Sequence, residues 1–278
     1  MKNILKIMLM MITIFTIAGS AVYAAEIPVS DQDQLITSSD WTEISNLQDE
    51  MKKEEPDATI DYDKALKVYV DCNLIKLQTA DTKKLTSALE SANYVWVIPF
   101  KMEKTYGMFT VAKGLPLREE AKSVLTKAEQ EEVKNHAGKW MITETAEHTV
   151  EPYYDILLEK REALSDCTRV VLVGSQPGMR QPVALGMDDE TARIWISLGY
   201  QYPVMEKIPE TQNGESGVYS FDSVAEISDT YIEDSEVSTG AGVQSRSSIK
   251  YVAGIGIIVI GSILILSVLK KKKLEDYE

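Results

Sequence analysis

The apolar positions of this chain change rhythm along its length, and each rhythm predicts an element. Leu66, Val68, Val70 and Cys72 fall on one face of a strand, with Lys67, Tyr69 and Asp71 on the other. Helical spacing follows over Thr82 to Ala92, through Leu85, Ala88 and Leu89. Tyr94 to Ile98 is a continuous apolar run, as in a strand covered on both faces. Lys104 to Gly107 reads as a turn into a partner strand, Met108 to Ala112. Thr126 and Glu129 form a capping box that opens a helix, and Gly138 closes it. Trp140 to His148 reads as a strand, and Pro152 as the first-turn residue of a helix carrying Ile156, Leu157 and Leu164. Three more strands are predicted at Arg169 to Val173, Pro182 to Met187 and Ala192 to Leu198. Asp188-Asp189-Glu190 turns the last two into a hairpin. Upstream, Asp40 and Glu43 make a capping-box-like pair before Trp41, Ile44, Leu47 and Met51 at helical spacing. They predict a short amphipathic helix from Trp41 to Lys53, ended near Pro56 and docked on the domain.

Tight hairpins argue against a doubly wound parallel sheet, because parallel neighbours need long crossovers. The expected class is α+β: a single domain over 58–208 with an antiparallel or mixed sheet faced by helices. Helix, buried strand and hairpin recur at 82–113 and 152–198, though without matching residues.

The two ends of the chain obey a different rule. Lys2 and Lys6 precede an apolar run from Ile7 to Ile17, and Val22-Tyr23-Ala24 has small or modest residues where a signal peptidase reads them. Residues 1–24 are therefore expected to be an export signal cleaved after Ala24. Tyr251 to Leu269 is nineteen residues without a charged side chain. As a helix it would cover about 28 Å, close to the hydrocarbon thickness of a bilayer. Lys270 to Lys273 follow it, against Lys250 alone on the other side, so the tail 270–278 is expected in the cytoplasm. The lipid bilayer is thus the one partner the sequence names, through residues 251–269. Thr239-Gly240 resembles the end of a sortase signal, but no Leu-Pro precedes it. The layout as a whole resembles exported single-span proteins, and that likeness assigns no site.

Charge refines the boundaries. The chain carries a net charge of −14 at pH 7. Residues 25–57 hold ten acids and two bases, and residues 209–249 eight acids and one base. Residues 58–208 are near balance, with 22 acids and 19 bases. The first stretch reads as an acidic N-terminal segment around its helix. The second, dominated by Ser, Thr, Gly and acids, reads as a flexible stalk. Without a basic patch, nucleic acid is excluded as an expected partner.

Candidate chemistry is sparse. Cys72 and Cys167 could form a disulfide after export or remain two buried thiols, and the sequence leaves both open. Ser175 follows a predicted buried strand, where a hydrolase would place its nucleophile. The flanking positions that need glycine are Val173 and Pro177, so the elbow motif fails. His136 and His148 stand in no zinc-binding pattern, and Asp61, Asp63 and Asp188 to Glu190 match no calcium loop. No metal or cofactor is assigned. Tyr94, Trp96, Trp140 and Trp195 lie on predicted strands and are expected in the core. The expected function is a membrane-anchored extracytoplasmic binding or interaction domain, non-enzymatic, with an unknown extracytoplasmic partner. The alternative is a tethered hydrolase with catalytic residues scattered in sequence.

Overall fold

The computed structural model describes residues 27–77, 79–148, 151–174, 176, 182–198 and 216–226. The expected signal 1–24, the span 251–269, the tail 270–278 and Ser175 lie outside the described residues. Among the described residues no helix is long and apolar enough to cross a membrane.

The fold is α+β, built on one mixed sheet of nine strands. In chain order they are β1 (Thr59–Ile60), β2 (Leu66–Tyr69), β3 (Tyr94–Lys101), β4 (Tyr106–Lys113) and β5 (Trp140–His148). The second half adds β6 (Arg169–Val173), β7 (Val183–Met187), β8 (Ala192–Ser197) and β9 (Val218–Ser220). The helices are α1 (Trp41–Ile44), α2 (Gln48–Glu54), α3 (Thr82–Glu90), α4 (Glu119–Lys122), α5 (Lys127–His136) and α6 (Tyr153–Glu159). A further helical turn covers 221–226.

Across the sheet the order is β5-β4-β3-β2-β6-β7-β8-β9, with β1 also on β3. Every pair is antiparallel except the central one, β2 with β6. Two antiparallel meanders therefore run outward from one parallel seam, which explains the recurring helix–strand–hairpin pattern in the sequence.

Both faces are covered, so strand alternation sorts apolar side chains between two cores rather than between core and water. The back face gathers Leu66, Val68, Val97, Leu172 and Ile196 under Tyr153 and Leu157 of α6. The front face is split. Ile44 of α1 and Met51 of α2 cover Trp96, Ile98, Phe100 and Phe109. Leu85 and Leu89 of α3 cover Val171, Leu185, Trp195 and Tyr219.

Several expectations need correction. The expected stalk 209–249 includes folded residues: Val218 to Ser220 pair with Ile194 to Ile196, and Phe221 and Val224 are buried beside Trp195. Four apolar residues, Val218, Tyr219, Phe221 and Val224, were enough to add a strand to the sheet edge, a gain invisible in local composition. The rest of the proposed stalk, 209–215 and 227–249, lies outside the described residues. The acidic segment, expected to dock through its helix alone, also enters the cores ahead of that helix, with Ile27 and Val29 in the back core and Leu35 in the front. Asp40 does not cap its helix; its backbone is already helical, and its carboxylate goes to two aromatic side chains of β3. Pro152 stands at the N-cap of α6, one position before the first turn. The capping box at Thr126 and Glu129 forms as expected.

The seam between β2 and β6 is a fork. The strands pair only at Val68 with Leu172 and Tyr69 with Val173. Two positions back in register, Leu66 and Val170 each pair with the N-terminal segment instead: Val29 with Val170, and Gln34 with Leu66. Residues 27–35 thus enter the fork as a wedge, rising along β6, turning at Asp31–Asp33, and descending along β2.

Candidate functional site

The long β4–β5 excursion borders the groove that we take as the candidate site. Residues 115–137 leave the sheet end where β3 begins and β4 ends, and carry α4 and α5. None of the residues of α5 is buried, so this helix projects from the body. Two glycines make its neck. The Gly138 N–H donates to the Gly114 carbonyl at 2.8 Å, and the Gly114 N–H to the Lys139 carbonyl at 2.9 Å. A Cβ on Gly114 would sit 2.1 Å from the His136 carbonyl oxygen, and Gly138 has φ +77°. Both positions therefore require glycine.

Beside this neck lies an open groove of about 420 Å³, lined by Tyr94, Trp140, Lys113, Leu115, Pro116 and Asn93 among others. The rings of Tyr94 and Trp140 are 5.9 Å apart between centroids. The Lys113 ammonium lies 5.4 Å from the Trp140 ring centroid and 3.9 Å from Glu43. Asn93 is fixed from outside the groove: its backbone N–H donates to Asp71 at 2.6 Å and its side-chain amide at 2.5 Å. An aromatic pair, a cation and exposed backbone make a surface suited to binding; no acid, histidine or serine is among the lining residues.

A buried charged stack supports the Tyr94 wall. Tyr94 donates its hydroxyl to Asp40 at 2.9 Å, and the Trp96 indole N–H donates to the same oxygen at 3.0 Å. Under the Tyr94 ring sits the Lys67 ammonium, 4.6 Å from its centroid and 5.2 Å from that of Trp96. Lys67 is 9% exposed, on the front face between the two front clusters. Its partner is Asp33, 2% exposed, whose carboxylate lies 3.7 Å from the Lys67 nitrogen. Asp33 also accepts from the Tyr69 hydroxyl at 2.8 Å, the Ser30 hydroxyl at 2.6 Å and Arg169 Nη2 at 3.0 Å. Burial lowers the Lys67 pKa, against the opposing pull of Asp33 and Asp40. Burial first, then the neighbouring carboxylates, raises the Tyr69 and Tyr94 hydroxyls.

The residues singled out in the sequence are dispersed. Cys72 and Cys167 are free thiols, packed in the front and back cores respectively. By the β2–β6 register Cys72 comes level with Gln176, and Cys167 lies nine positions back, roughly 30 Å away at strand rise. A disulfide needs Cα atoms within about 7 Å, so the open question closes in favour of two thiols. Burial pushes Cys72 up to about 12 and Cys167 to about 11. His136 ends α5, while His148 ends β5 roughly 27 Å from the groove end of that strand. Asp188 caps its own turn, accepting from the Glu190 N–H at 2.8 Å and the Thr191 N–H at 2.6 Å, and Asp189 accepts from Thr168 at 3.0 Å. Asp61 pairs with Lys64 at 3.7 Å. Among the described residues no three His, Cys, Asp or Glu side chains converge as a metal site would require. Trp96, Trp140 and Trp195 are buried core residues, as expected, and Tyr94 packs partly buried against both front clusters; the edges of Tyr94 and Trp140 also border the groove.

Sequence reasoning missed the Asp33–Lys67–Arg169 group. One signal was present: Lys67 and Arg169 interrupt or flank strands whose other positions are apolar. Comparison with protein-family models, with curated proteins and with solved structures finds no match for this chain.

Proposed function

We propose that the chain is a membrane-anchored extracytoplasmic binding domain, non-enzymatic, whose partner engages the groove beside the β4–β5 neck. The observation that supports the reading is the groove itself: an aromatic pair and a cation at one sheet end, with no acid, histidine or serine among its lining residues. Its place in the molecule agrees. The last described residue, Glu226, follows β9 at one edge of the sheet, whereas the groove lies at β3 to β5. A tether running from 227 to an expected span at 251–269 leaves the groove on the far edge, roughly 30 Å across the strands. The hydrolase alternative has no convergent set of groups in its favour among the described residues.

A photoreactive group at Leu115, within the groove, tests the reading in the full chain on intact cells. It should yield a discrete adduct that the same group at Leu158, exposed on α6, does not. Trp140→Ala should remove that adduct. Equal labelling from both positions, indifferent to Trp140, would defeat the groove as the binding site.

A further inference from the structure

We infer that the Lys67 amine and the Asp33 carboxyl condense into a side-chain amide, which fastens the N-terminal segment covalently to β2. Neither the groove nor its partner enters the reaction.

Lys67 stands between Leu66 and Val68 in a strand whose four residues are all buried. Asp33 is buried as well, so both members of the pair are cut off from the water that an ordinary surface pair would keep. The Lys67 nitrogen lies 3.7 Å from Oδ1 of Asp33. Three rings surround that nitrogen, with the centroids of Tyr94, Trp96 and Tyr69 at 4.6, 5.2 and 5.9 Å. Burial lowers the Lys67 pKa, which favours the free amine over the ammonium. The other carboxylate of this neighbourhood, Asp40, is committed to the Tyr94 hydroxyl and the Trp96 indole. Asp33 is therefore the carboxyl that the amine meets.

The two oxygens of Asp33 are held differently. Oδ1 faces Lys67 and accepts from the Tyr69 hydroxyl at 2.8 Å. Oδ2 accepts from the Ser30 hydroxyl at 2.6 Å and from Arg169 Nη2 at 3.0 Å. This division suits acyl substitution at Cγ. A proton passes from the ammonium to Oδ1, leaving a neutral amine and a carboxylic acid. The amine lone pair adds to Cγ, and the carbonyl pair moves onto Oδ2, where Ser30 and Arg169 hold the developing charge. A second proton moves from nitrogen to Oδ1, which departs as water while the pair on Oδ2 reforms the carbonyl. The third proton stays on the amide nitrogen. Water is the only product released, and no activating group is consumed.

Two features favour the reaction. The fold holds amine and carboxyl side by side, so a fixed approach replaces a chance encounter. The amide also removes one buried cation and one buried anion from a site where each carries a desolvation cost. Arg169 keeps its bond to Oδ2, now the amide carbonyl. The product closes residues 33–67 into a covalent loop, in a domain whose two cysteines are free.

Met51 is the only methionine between the two residues, which gives a direct test. The full chain is purified, denatured, reduced and cleaved with cyanogen bromide. The piece ending at Met51 and the piece 52–102 should stay joined, at a mass one water below their sum. Fragmentation of the joined product should place the bond between Asp33 and Lys67. Lys67→Arg keeps a cation in the ring stack without the amine, and its two pieces should separate. Separate pieces of full mass from the parent chain overturn the amide. So does a water lost within the Met51 piece alone, which marks an aspartate closing onto its own backbone. A joined product from Lys67→Arg overturns the assignment to this lysine.

Discussion

Arg169 Nη2 donates to Asp33 Oδ2 at 3.0 Å across the fork of the sheet, joining residues that lie 136 positions apart in sequence. Because Lys67 shares the same carboxylate, Asp33 is the one anion between two inward-facing cations of the seam. Truncating a partner in a buried ion group leaves uncompensated charge, at about 3–5 kcal/mol. Asp33→Ala should therefore lower the urea-unfolding free energy by about that amount. Adding Lys67→Met and Arg169→Met should recover much of the loss. If Asp33→Ala unfolds at the parental midpoint, the fork is not held by this group.

The same residues mark the limit of what the sequence discloses. Period-two and helical spacing locate nearly every strand and helix, because those signals are local. Asp33, Lys67 and Arg169 come together only through the parallel seam, whose register no local pattern encodes. The strand at 218–220 was hidden for a related reason. Its Val218 and Tyr219 stand among serines, glycines and acids, and their burial depends on β8 offering an open edge. The groove was half legible: Trp140 and Tyr94 were placed on strands, but the close approach of Gly114 to the helix end at His136 was not foreseeable.

Asp40 ties α1 to β3 through the Tyr94 hydroxyl and the Trp96 indole. Asp40→Ala leaves the fully buried Trp96 N–H unpaired, at about 1–3 kcal/mol. Urea unfolding followed by tryptophan emission should register a loss of that size. Asp40→Asn, which keeps an acceptor, should lose less. Equal losses would show that the carboxylate contributes charge alone.

Separation of the thiols makes a prediction about redox state. Non-reducing electrophoresis of the oxidised chain should show no intramolecular bridge, and the parent chain should unfold at the same midpoint with and without reductant. With both thiols held up near 11 to 12, alkylation at pH 8 should be slow until denaturant is added. A shift in midpoint on reducing the parent chain would contradict the strand register.

Asp188 gives a pH signature. Backbone N–H donors at Thr191 and Glu190, then Arg193, hold its carboxyl down near 2, against an ordinary value of 3.8. A carboxyl depressed on folding stabilises the fold above the ordinary value, and that contribution disappears as pH falls toward 2. Asp188→Asn should flatten this part of the stability profile between about pH 4 and pH 2. Thermal unfolding across that window measures it, and parallel profiles for parent and variant would exclude the cap.

The proposed role requires the sheet to lie on the outer side of the membrane. A membrane-impermeant amine reagent applied to intact cells reads this directly, by mass analysis of individual lysines in the full chain. Lys139 and Lys127, exposed on the β4–β5 excursion, should be modified without permeabilisation, while Lys270 to Lys273 should react only after it. Protection of Lys127 and Lys139 until the cells are opened would contradict the proposed placement, and with it the groove's role outside the cell.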